Sequence, residues 1–226
     1  MRWLALVVVL VAGCKEAPPP PPPFVVSMRP APKPDAPVLV LLHGYAANED
    51  DLLPITAPLE MRFEVRSLRA LLTVQGQGTG VHAAWFRITP SPEGPKSDPA
   101  EVEAARVAVV AYLKSLAPRK VSLLGFSQGA TLAMAVAASE PTLVKDVVAI
   151  AGRMPPGVPK SDATPKPGVL VLQGTRDNLV SIERADATVA ELKARGLAPD
   201  SRRFEAGHEI SQEMRAALES WLLREQ

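Results

Sequence analysis

The chain has 226 residues, 47% of them hydrophobic and 22% charged, which is enough apolar sequence for one globular domain with a large core. Its net charge of +1 comes without a long basic run, so we expect no nucleic-acid partner. The single cysteine, Cys14, excludes an intramolecular disulfide and a cysteine-rich metal site.

The N-terminal segment has the pattern of an export signal. Arg2 precedes an apolar run from Trp3 to Ala12, which is shorter than a membrane-spanning helix needs but fits the core of a signal peptide. The residues "VAGC" at 11–14 resemble the bacterial lipobox, in which cleavage before the cysteine leaves it carrying lipid. We therefore predict a lipoprotein signal peptide over 1–13 and a lipidated Cys14. An ordinary signal peptide followed by an unrelated cysteine is the alternative.

A proline-rich segment comes next, with ten prolines in residues 15–37. Such a composition cannot bury enough apolar surface to fold and favours extended polyproline II. We predict that residues 14–37 tether a domain at up to about 70 Å from a membrane; a proline-rich ligand for a partner domain is the alternative. Lys15 after the cysteine resembles lipoproteins of the outer membrane, so the expected location is the bacterial cell envelope.

Short apolar runs alternate with helical periodicity from Val38 onward. Continuously apolar runs are typical of parallel strands covered on both faces. The alternation predicts an α/β fold, a three-layer sandwich around a mostly parallel sheet, with the domain over 38–226. The predicted strands are 38–42, 63–68, 120–125, 146–151, 168–174 and 201–206, and the predicted helices lie near 50–59, 98–116, 128–139, 183–195 and 211–224.

The helix that begins after Asp98 has the clearest start signal. Asp98 can accept a hydrogen bond from the first turn, and Pro99 suits the first helical position. Glu101 stands where a capping box needs an acidic side chain.

The stretch "LLGFSQGAT" at 123–131 carries a G-x-S-x-G motif between a predicted strand and a predicted helix. In that context the motif predicts a nucleophile elbow, with Ser127 exposed on a sharp turn. Gly125 and Gly129 allow the close approach of strand and helix. A plain Gly-Ser-Gly turn is the alternative interpretation.

A serine hydroxyl needs a base to remove its proton and an acid to orient that base. In this fold the order along the chain is serine, acid, histidine, and His208 is the one histidine after Ser127. Asp177 follows a predicted strand at the edge of the sheet where sites form. Several glutamates and other aspartates, Asp200 among them, are also candidates by chain order; three of these aspartates lie at the wrong end of a strand, in a proline-rich loop or in a predicted helix, namely Asp146, Asp162 and Asp186.

Hydrolysis through a tetrahedral intermediate also needs hydrogen-bond donors for the oxyanion. We predict that the backbone N–H groups of Tyr45 and Gln128 serve, one from the loop after the first strand and one directly after the serine. His43 precedes Ser127 in the chain, so we expect it to have a structural role.

With these residues assembled, the chain resembles the carboxylesterase and lysophospholipase family that includes the acyl-protein thioesterases, within the α/β-hydrolase superfamily. The matching segments are "LLHGYAANEDDLLP", "LLGFSQGATLAMAVA", "LVLQGTRDNLVS" and "AGHEIS", and the resemblance covers roughly residues 37–225. It implies a Ser127, Asp177 and His208 triad and activity on carboxylic esters of modest chain length. It also implies a single domain without a large lid and no metal or organic cofactor.

Three shorter features concern the surroundings of the site. Segments similar to the family's acyl pocket suggest Trp85 and Met154 as pocket residues, with a plain core role as the alternative. Ala46 stands where relatives often carry a second glycine, so the geometry of the oxyanion loop is expected to differ slightly. "GQGTG" at 76–80 lacks the third glycine of a dinucleotide site, and we interpret it as a mobile loop near the active site.

The residues thus predict a serine esterase that works through an acyl-enzyme and is tethered to a membrane by Cys14. Lysophospholipids, other lipid esters and small diffusing esters all remain possible substrates, and the oligomeric state stays open. A hydrolase-fold lipoprotein that binds ligands without turnover is the rival hypothesis. A cysteine hydrolase of the dienelactone type is excluded, because Cys14 lies in the signal region.

Overall fold

A seven-stranded sheet forms the centre of the protein in a computed structural model, which describes residues 24–76, 80–91 and 95–224. The strands follow the order β1-β3-β2-β8-β9-β10-β11, and every pairing is parallel except the antiparallel pair β1 and β3. The prediction of a mostly parallel sheet is confirmed. Its strands are β1 Val26–Arg29, β2 Val38–Leu42, β3 Glu64–Leu68, β8 Val121–Phe126, β9 Asp146–Ile150, β10 Gly168–Gly174 and β11 Pro199–Phe204; two small ladders pair β4 Leu72–Thr73 with β5 Ala83–Ala84 and β6 Ile88–Thr89 with β7 Lys96–Ser97.

Helices cover both faces of the sheet. One apolar core lies between the sheet and α1, α2 and α3, and a second core lies between the opposite face and α4. The three-layer α/β sandwich expected from the sequence is therefore the observed architecture. The helices are α1 Pro99–Ser115, α2 Gln128–Ser139, α3 Ile182–Ala194 and α4 Gln212–Leu223.

The first strand lies inside the segment predicted to be a tether. Val26–Arg29 pairs with β3, and Phe24 packs against the rings of Trp85 and Tyr112. The predicted domain boundary at 37/38 is therefore too late. "VVSMR" stands between two proline-rich stretches, and its apolar residues form the edge strand. The high proline content on both sides explains why the sequence predicted a tether here.

Residues 50–59 form two short 3-10 turns, Leu53–Ile55 and Ala57–Leu59, instead of the predicted helix. Pro54 and Pro58 each lie within the first two positions of a turn. Proline lacks an N–H group and clashes with the preceding helical turn, so a continuous α-helix cannot pass through Pro58.

The start of α1 is capped by Asp98, which accepts a hydrogen bond from the Ala100 N–H at 2.8 Å. The predicted capping box with Glu101 is wrong. Its carboxylate accepts from the Arg87 backbone N–H at 2.7 Å and from the Arg87 guanidinium. Glu101 thus ties α1 to the preceding loop, a contact that local spacing does not reveal.

The predicted signal peptide (1–13), Cys14 and the proline run up to Pro23 lie outside the described residues and remain predictions. Among the helices that are described, none is long and apolar enough to cross a membrane.

Candidate active site

Three side chains from separate strand ends meet at the carboxyl edge of the sheet. Ser127 follows β8, Asp177 follows β10 and His208 follows β11. The Nε2 atom of His208 lies 3.0 Å from the Ser127 hydroxyl oxygen, and its Nδ1 atom lies 2.8 Å from a carboxylate oxygen of Asp177. The structure therefore brings the three predicted catalytic residues into one hydrogen-bonded line.

Ser127 sits on a strained turn between β8 and α2. Its φ of 55° and ψ of −111° are unusual for a residue with a side chain, and such strain persists only where the surroundings enforce it. Here the Ser127 N–H donates to the Ile150 carbonyl at 2.9 Å, and eleven of the twelve residues of α2 are buried. The turn thus holds the hydroxyl at the sheet edge.

The two glycines of the motif let the helix cross the strands closely. A Cβ atom on Gly129 would overlap the carbonyl of Leu42, and one on Gly125 would overlap the carbonyl of Gly129. The elbow therefore needs glycine at both positions, as the sequence predicted.

Asp177 is fully enclosed and has four hydrogen-bond partners. One carboxylate oxygen accepts from the Leu179 and Val180 N–H groups, both at 2.8 Å, and the other accepts from Gln173 Nε2 at 3.1 Å and from His208. Burial favours the neutral acid, but the hydrogen bonds from Val180, His208 and Leu179 outweigh it and hold the pKa of Asp177 below its usual value. Asp177 is thus a carboxylate that accepts a hydrogen bond from Nδ1–H, which leaves Nε2 without a proton and free to accept the one on the Ser127 hydroxyl.

Replacing Asp177 by asparagine is expected to lower kcat for ester hydrolysis by roughly 10³–10⁴-fold. The two backbone N–H groups would keep the amide oxygen of the new side chain, so its NH₂ group would face His208. Nδ1 would then become the acceptor and Nε2 would carry the proton, which is the wrong tautomer for a base. The measurement is steady-state hydrolysis, with circular dichroism to confirm folding.

The matched control is Asp186→Asn, which removes a carboxylate from the exposed face of α3, where Asp186 pairs with Arg203. Its activity should stay within about twofold, since surface ion pairs contribute little. Equal losses in the Asp177 and Asp186 variants would show that charge, and not the tautomer of His208, controls the rate.

Tyr45 and Gln128, whose backbone N–H groups are the predicted oxyanion donors, both line the cavity above Ser127. Neither of the two backbone N–H groups donates to any acceptor within the described residues. Gly44 lies against Ser127, because a Cβ on Gly44 would come within 3.5 Å of the serine Cβ. Two backbone donors without an acceptor among the described residues, carried by residues that line the same cavity as Ser127, are the kind of groups that an oxyanion site uses.

Ala46, the departure from the family pattern, has a φ of 55°. This is the left-handed conformation that glycine adopts easily and alanine adopts at a cost of about 1–2 kcal/mol. The backbone at Ala46 therefore has the left-handed conformation expected of the glycine that relatives often carry there.

The segment 82–85 holds the oxyanion loop in place, and sequence reasoning missed it. His82 Nδ1–H donates to the Ala46 carbonyl at 3.0 Å, the Ala83 N–H donates to the Ala47 carbonyl at 2.8 Å, and Trp85 Nε1–H donates to the His43 carbonyl at 2.9 Å. These contacts join residues about 40 positions apart, so no local sequence motif predicts them.

His43 has the structural position expected from its place in the chain. Its Nδ1–H donates to the Gly44 carbonyl at 2.7 Å, and its Nε2 accepts from the Ala70 N–H at 3.0 Å. Burial lowers the pKa of His43 and outweighs the effects that favour its charged form, chiefly the Gly44 hydrogen bond. Since both ring nitrogens are occupied, His43 joins the loops after β2 and β3 and takes no part in proton transfer.

The side chain of Gln128 is a second feature that the sequence did not indicate. Its Oε1 accepts from the Trp85 N–H at 3.0 Å, and its Nε2 donates to the Phe86 carbonyl at 2.7 Å. Gln128 thus fixes the 85–86 segment directly beside the serine, in addition to presenting its own N–H group.

A cavity of about 720 Å³ opens above Ser127. The predicted pocket residues Trp85 and Met154 do not line it: Trp85 is buried in the core and Met154 packs against that core. Their chain neighbours Phe86 and Arg153 face the cavity instead. The predicted mobile loop at 76–80 falls largely on residues 77–79, which lie outside the described residues.

Comparison with known proteins identifies the family and the fold. The phospholipase/carboxylesterase family model matches residues 24–223. A protein of unknown function from Agrobacterium tumefaciens is 27% identical with a TM-score of 0.75, covering 88% of this chain and 95% of its own. Two further solved structures share the fold. The esterase PE8 is 24% identical with a TM-score of 0.75, over 88% of this chain and 97% of its own. A Bacillus cereus carboxylesterase is 20% identical with a TM-score of 0.75, over 88% of this chain and 93% of its own. A search of curated proteins found none with significant similarity.

Proposed function

Since the chain belongs to the phospholipase/carboxylesterase family, we propose that it is a serine esterase that cleaves carboxylic esters through an acyl-enzyme on Ser127. The observation that carries the proposal is the line of hydrogen bonds from Asp177 through His208 to Ser127, at the floor of an open cavity.

The first half of the reaction forms the acyl-enzyme. Nε2 of His208 takes the hydroxyl proton as Ser127 attacks the ester carbonyl, and Asp177 stabilises the charged imidazole. The N–H groups of Tyr45 and Gln128 donate hydrogen bonds to the carbonyl oxygen as it becomes negative. His208 then gives the proton to the departing alcohol.

The second half releases the acid. A water molecule takes the place of the alcohol, and His208 removes its proton as the water oxygen attacks the acyl carbon. The tetrahedral intermediate then breaks its bond to Ser127, and His208 returns the proton to the Ser127 oxygen. All proton transfers run through one imidazole, so no further acid or base is required.

The proposal is tested with 4-nitrophenyl esters of acyl chains from two to sixteen carbons. We expect a maximum of kcat/KM at short or medium length, because the acyl chain must fit inside the cavity. A protein that binds these esters without releasing nitrophenol would instead support the rival non-catalytic hypothesis.

We further propose that lipid on Cys14 anchors the protein to an envelope membrane. The support is the lipobox-like "VAGC" and the proline-rich segment that separates Cys14 from β1. A membrane-anchored enzyme could act on lipid esters in that membrane or on small esters within reach of its tether.

Replacing Cys14 by alanine is expected to remove a diacylglycerol-sized mass from the mature protein and to release it from the membrane fraction. Intact-mass spectrometry of detergent extracts and fractionation after a high-salt wash measure the two effects. The proposed anchor would be contradicted if the Cys14→Ala protein still carried the lipid mass and stayed in the membrane fraction as firmly as the wild-type protein. Ser27→Ala serves as the control, because Ser27 lies in β1, beyond the proposed lipidation site.

A further inference from the structure

The cavity above Ser127 has two chemically different sides. On the side of α4 it is bordered by His208, Glu209, Ile210 and the exposed Arg215, so a carboxylate and a guanidinium both lie on that side. The loop after β9 borders it on the opposite side: the Arg153 N–H donates to Thr131 of α2 at 3.4 Å, and the Met154 N–H donates to Thr188 of α3 at 3.0 Å. Arg153 therefore belongs to the α2 and α3 side of the cavity.

Two guanidinium groups line that second side, those of Arg153 and Arg184. Arg153 is half-buried and donates to the Pro95 carbonyl at 2.7 Å, and no carboxylate among the described residues pairs with it. Burial lowers the pKa of Arg153, and the positive charge of Arg184 lowers it further. The carboxylates that border the cavity, Asp51 and Glu209, come from the loop after β2 and from beside His208.

Arg153 is a half-buried cation with no carboxylate partner among the described residues, and such a charge is costly to bury unless an anion compensates it. A guanidinium is also the side chain best suited to binding a carboxylate, because its planar N–H groups match the two oxygens. The α2 and α3 side of the cavity therefore has the chemistry of an anion subsite, within the same cavity as Ser127.

The direction of the reaction decides which part of an ester would reach this subsite. His208 gives its proton to the leaving alcohol, so the alcohol must depart on the His208 side. The acyl group, bonded to Ser127, then extends toward the opposite side, where Arg153 and Arg184 lie.

We propose that the substrates carry a carboxylate at the far end of the acyl chain, so that the enzyme hydrolyses monoesters of dicarboxylic acids, with Arg153 binding that carboxylate. The inference rests on the proposed esterase function and names its substrate class. Water supplies a hydroxyl to the acyl carbon and a proton to the alcohol, and the products are a free dicarboxylate and the alcohol.

The first test compares two esters with six-carbon acyl chains, 4-nitrophenyl hydrogen adipate and neutral 4-nitrophenyl hexanoate. We expect kcat/KM to favour the adipate by at least about tenfold, after subtraction of the uncatalysed rate. In Arg153→Gln that preference should fall by roughly 10–100-fold, the usual effect of losing a hydrogen bond to a charged group. The preference of Arg153→Lys for adipate should lie between those of wild-type and Arg153→Gln protein, because lysine keeps the positive charge but lacks the planar pair of N–H donors.

The matched control is Arg203→Gln, which removes an exposed arginine that pairs with Asp186 and does not line the cavity. It should keep the preference for adipate. The side of binding is tested with 4-carboxyphenyl hexanoate and its neutral methyl ester, which place the charge on the alcohol. We expect no preference between these two, and a preference equal to that for adipate would overturn the assignment to the acyl side.

A second readout does not depend on turnover. Calorimetry on Ser127→Ala should give a Kd for 4-nitrophenyl hydrogen adipate that rises by about tenfold or more when Arg153→Gln is added. If wild-type protein hydrolyses both six-carbon esters equally and Ser127→Ala binds both equally, the substrate class is wrong while the esterase stands. If neither ester is hydrolysed but adipate binds through Arg153, the esterase is wrong while the anion subsite stands.

Discussion

Replacing Ser127 by alanine is expected to lower kcat for 4-nitrophenyl esters by roughly 10⁵–10⁶-fold. Alanine removes the atom that attacks the carbonyl, and no other hydroxyl of the described residues bonds to the Nε2 of His208, which lies 3.0 Å from the serine oxygen. Some acceleration should remain from the Tyr45 and Gln128 N–H groups and from substrate binding. Steady-state kinetics with a no-enzyme control measures the loss.

The matched control is Ser201→Ala, at an exposed position on β11 far along the strand from His208. Its kcat should stay within about twofold of the wild-type value. A Ser127→Ala protein that keeps more than a few per cent of wild-type activity, after repurification, would assign the chemistry to another group.

Replacing Gly129 by alanine is expected to lower the free energy of unfolding by about 3 kcal/mol or more. Alanine is the better helix former, so propensity alone predicts a small gain in α2. The new Cβ would overlap the carbonyl of Leu42, and neither partner can move easily: β2 is central in the sheet and α2 is buried along its length. Overpacking therefore outweighs propensity.

Gly207→Ala is the matched control, because a Cβ at Gly207 would meet no atom within 4 Å. Urea unfolding of both variants should show a shift within about 0.5 kcal/mol for Gly207→Ala and the large shift for Gly129→Ala only. Similar midpoints for the two variants would mean that the elbow tolerates a wider strand-to-helix crossing than the structure indicates.

Much of the fold could be predicted from the sequence because buried parallel strands have a strong local pattern. The runs at 38–42 and 168–174 were placed at their observed bounds, as was the helix at 128–139. Where the pattern was weak, prediction failed. β1 is short and stands between prolines, and it becomes a strand only through pairing with β3.

The three proposed catalytic residues could be predicted from the G-x-S-x-G motif, from the order serine, acid, histidine along the chain, and from the positions of the strand ends. The side chains that hold the loops of the site in place could not be predicted. Gln128, His82 and Arg69 act through contacts with distant segments; Arg69, for example, forms an ion pair with Glu49 and so anchors the loop after β2. Such contacts depend on the assembled fold and leave no spacing in the sequence.

The choice of pocket residues failed by one position at two sites. Trp85 points into the core and Phe86 into the cavity, and Met154 and Arg153 divide in the same way. Residues 85 and 86 lie in a bend and residues 153 and 154 in irregular backbone, so no strand or helix periodicity in the sequence reveals which residue of each pair faces the site.

The central claim is that Ser127 is the nucleophile of an acyl-enzyme, and covalent trapping tests it most directly. Wild-type protein treated with a fluorophosphonate should gain one phosphonyl group, which peptide mass spectrometry should locate on Ser127. The same treatment of Ser127→Ala should leave its mass unaltered. An adduct on any other residue, an equal adduct on both proteins, or a folded wild-type protein that gains none would contradict the account.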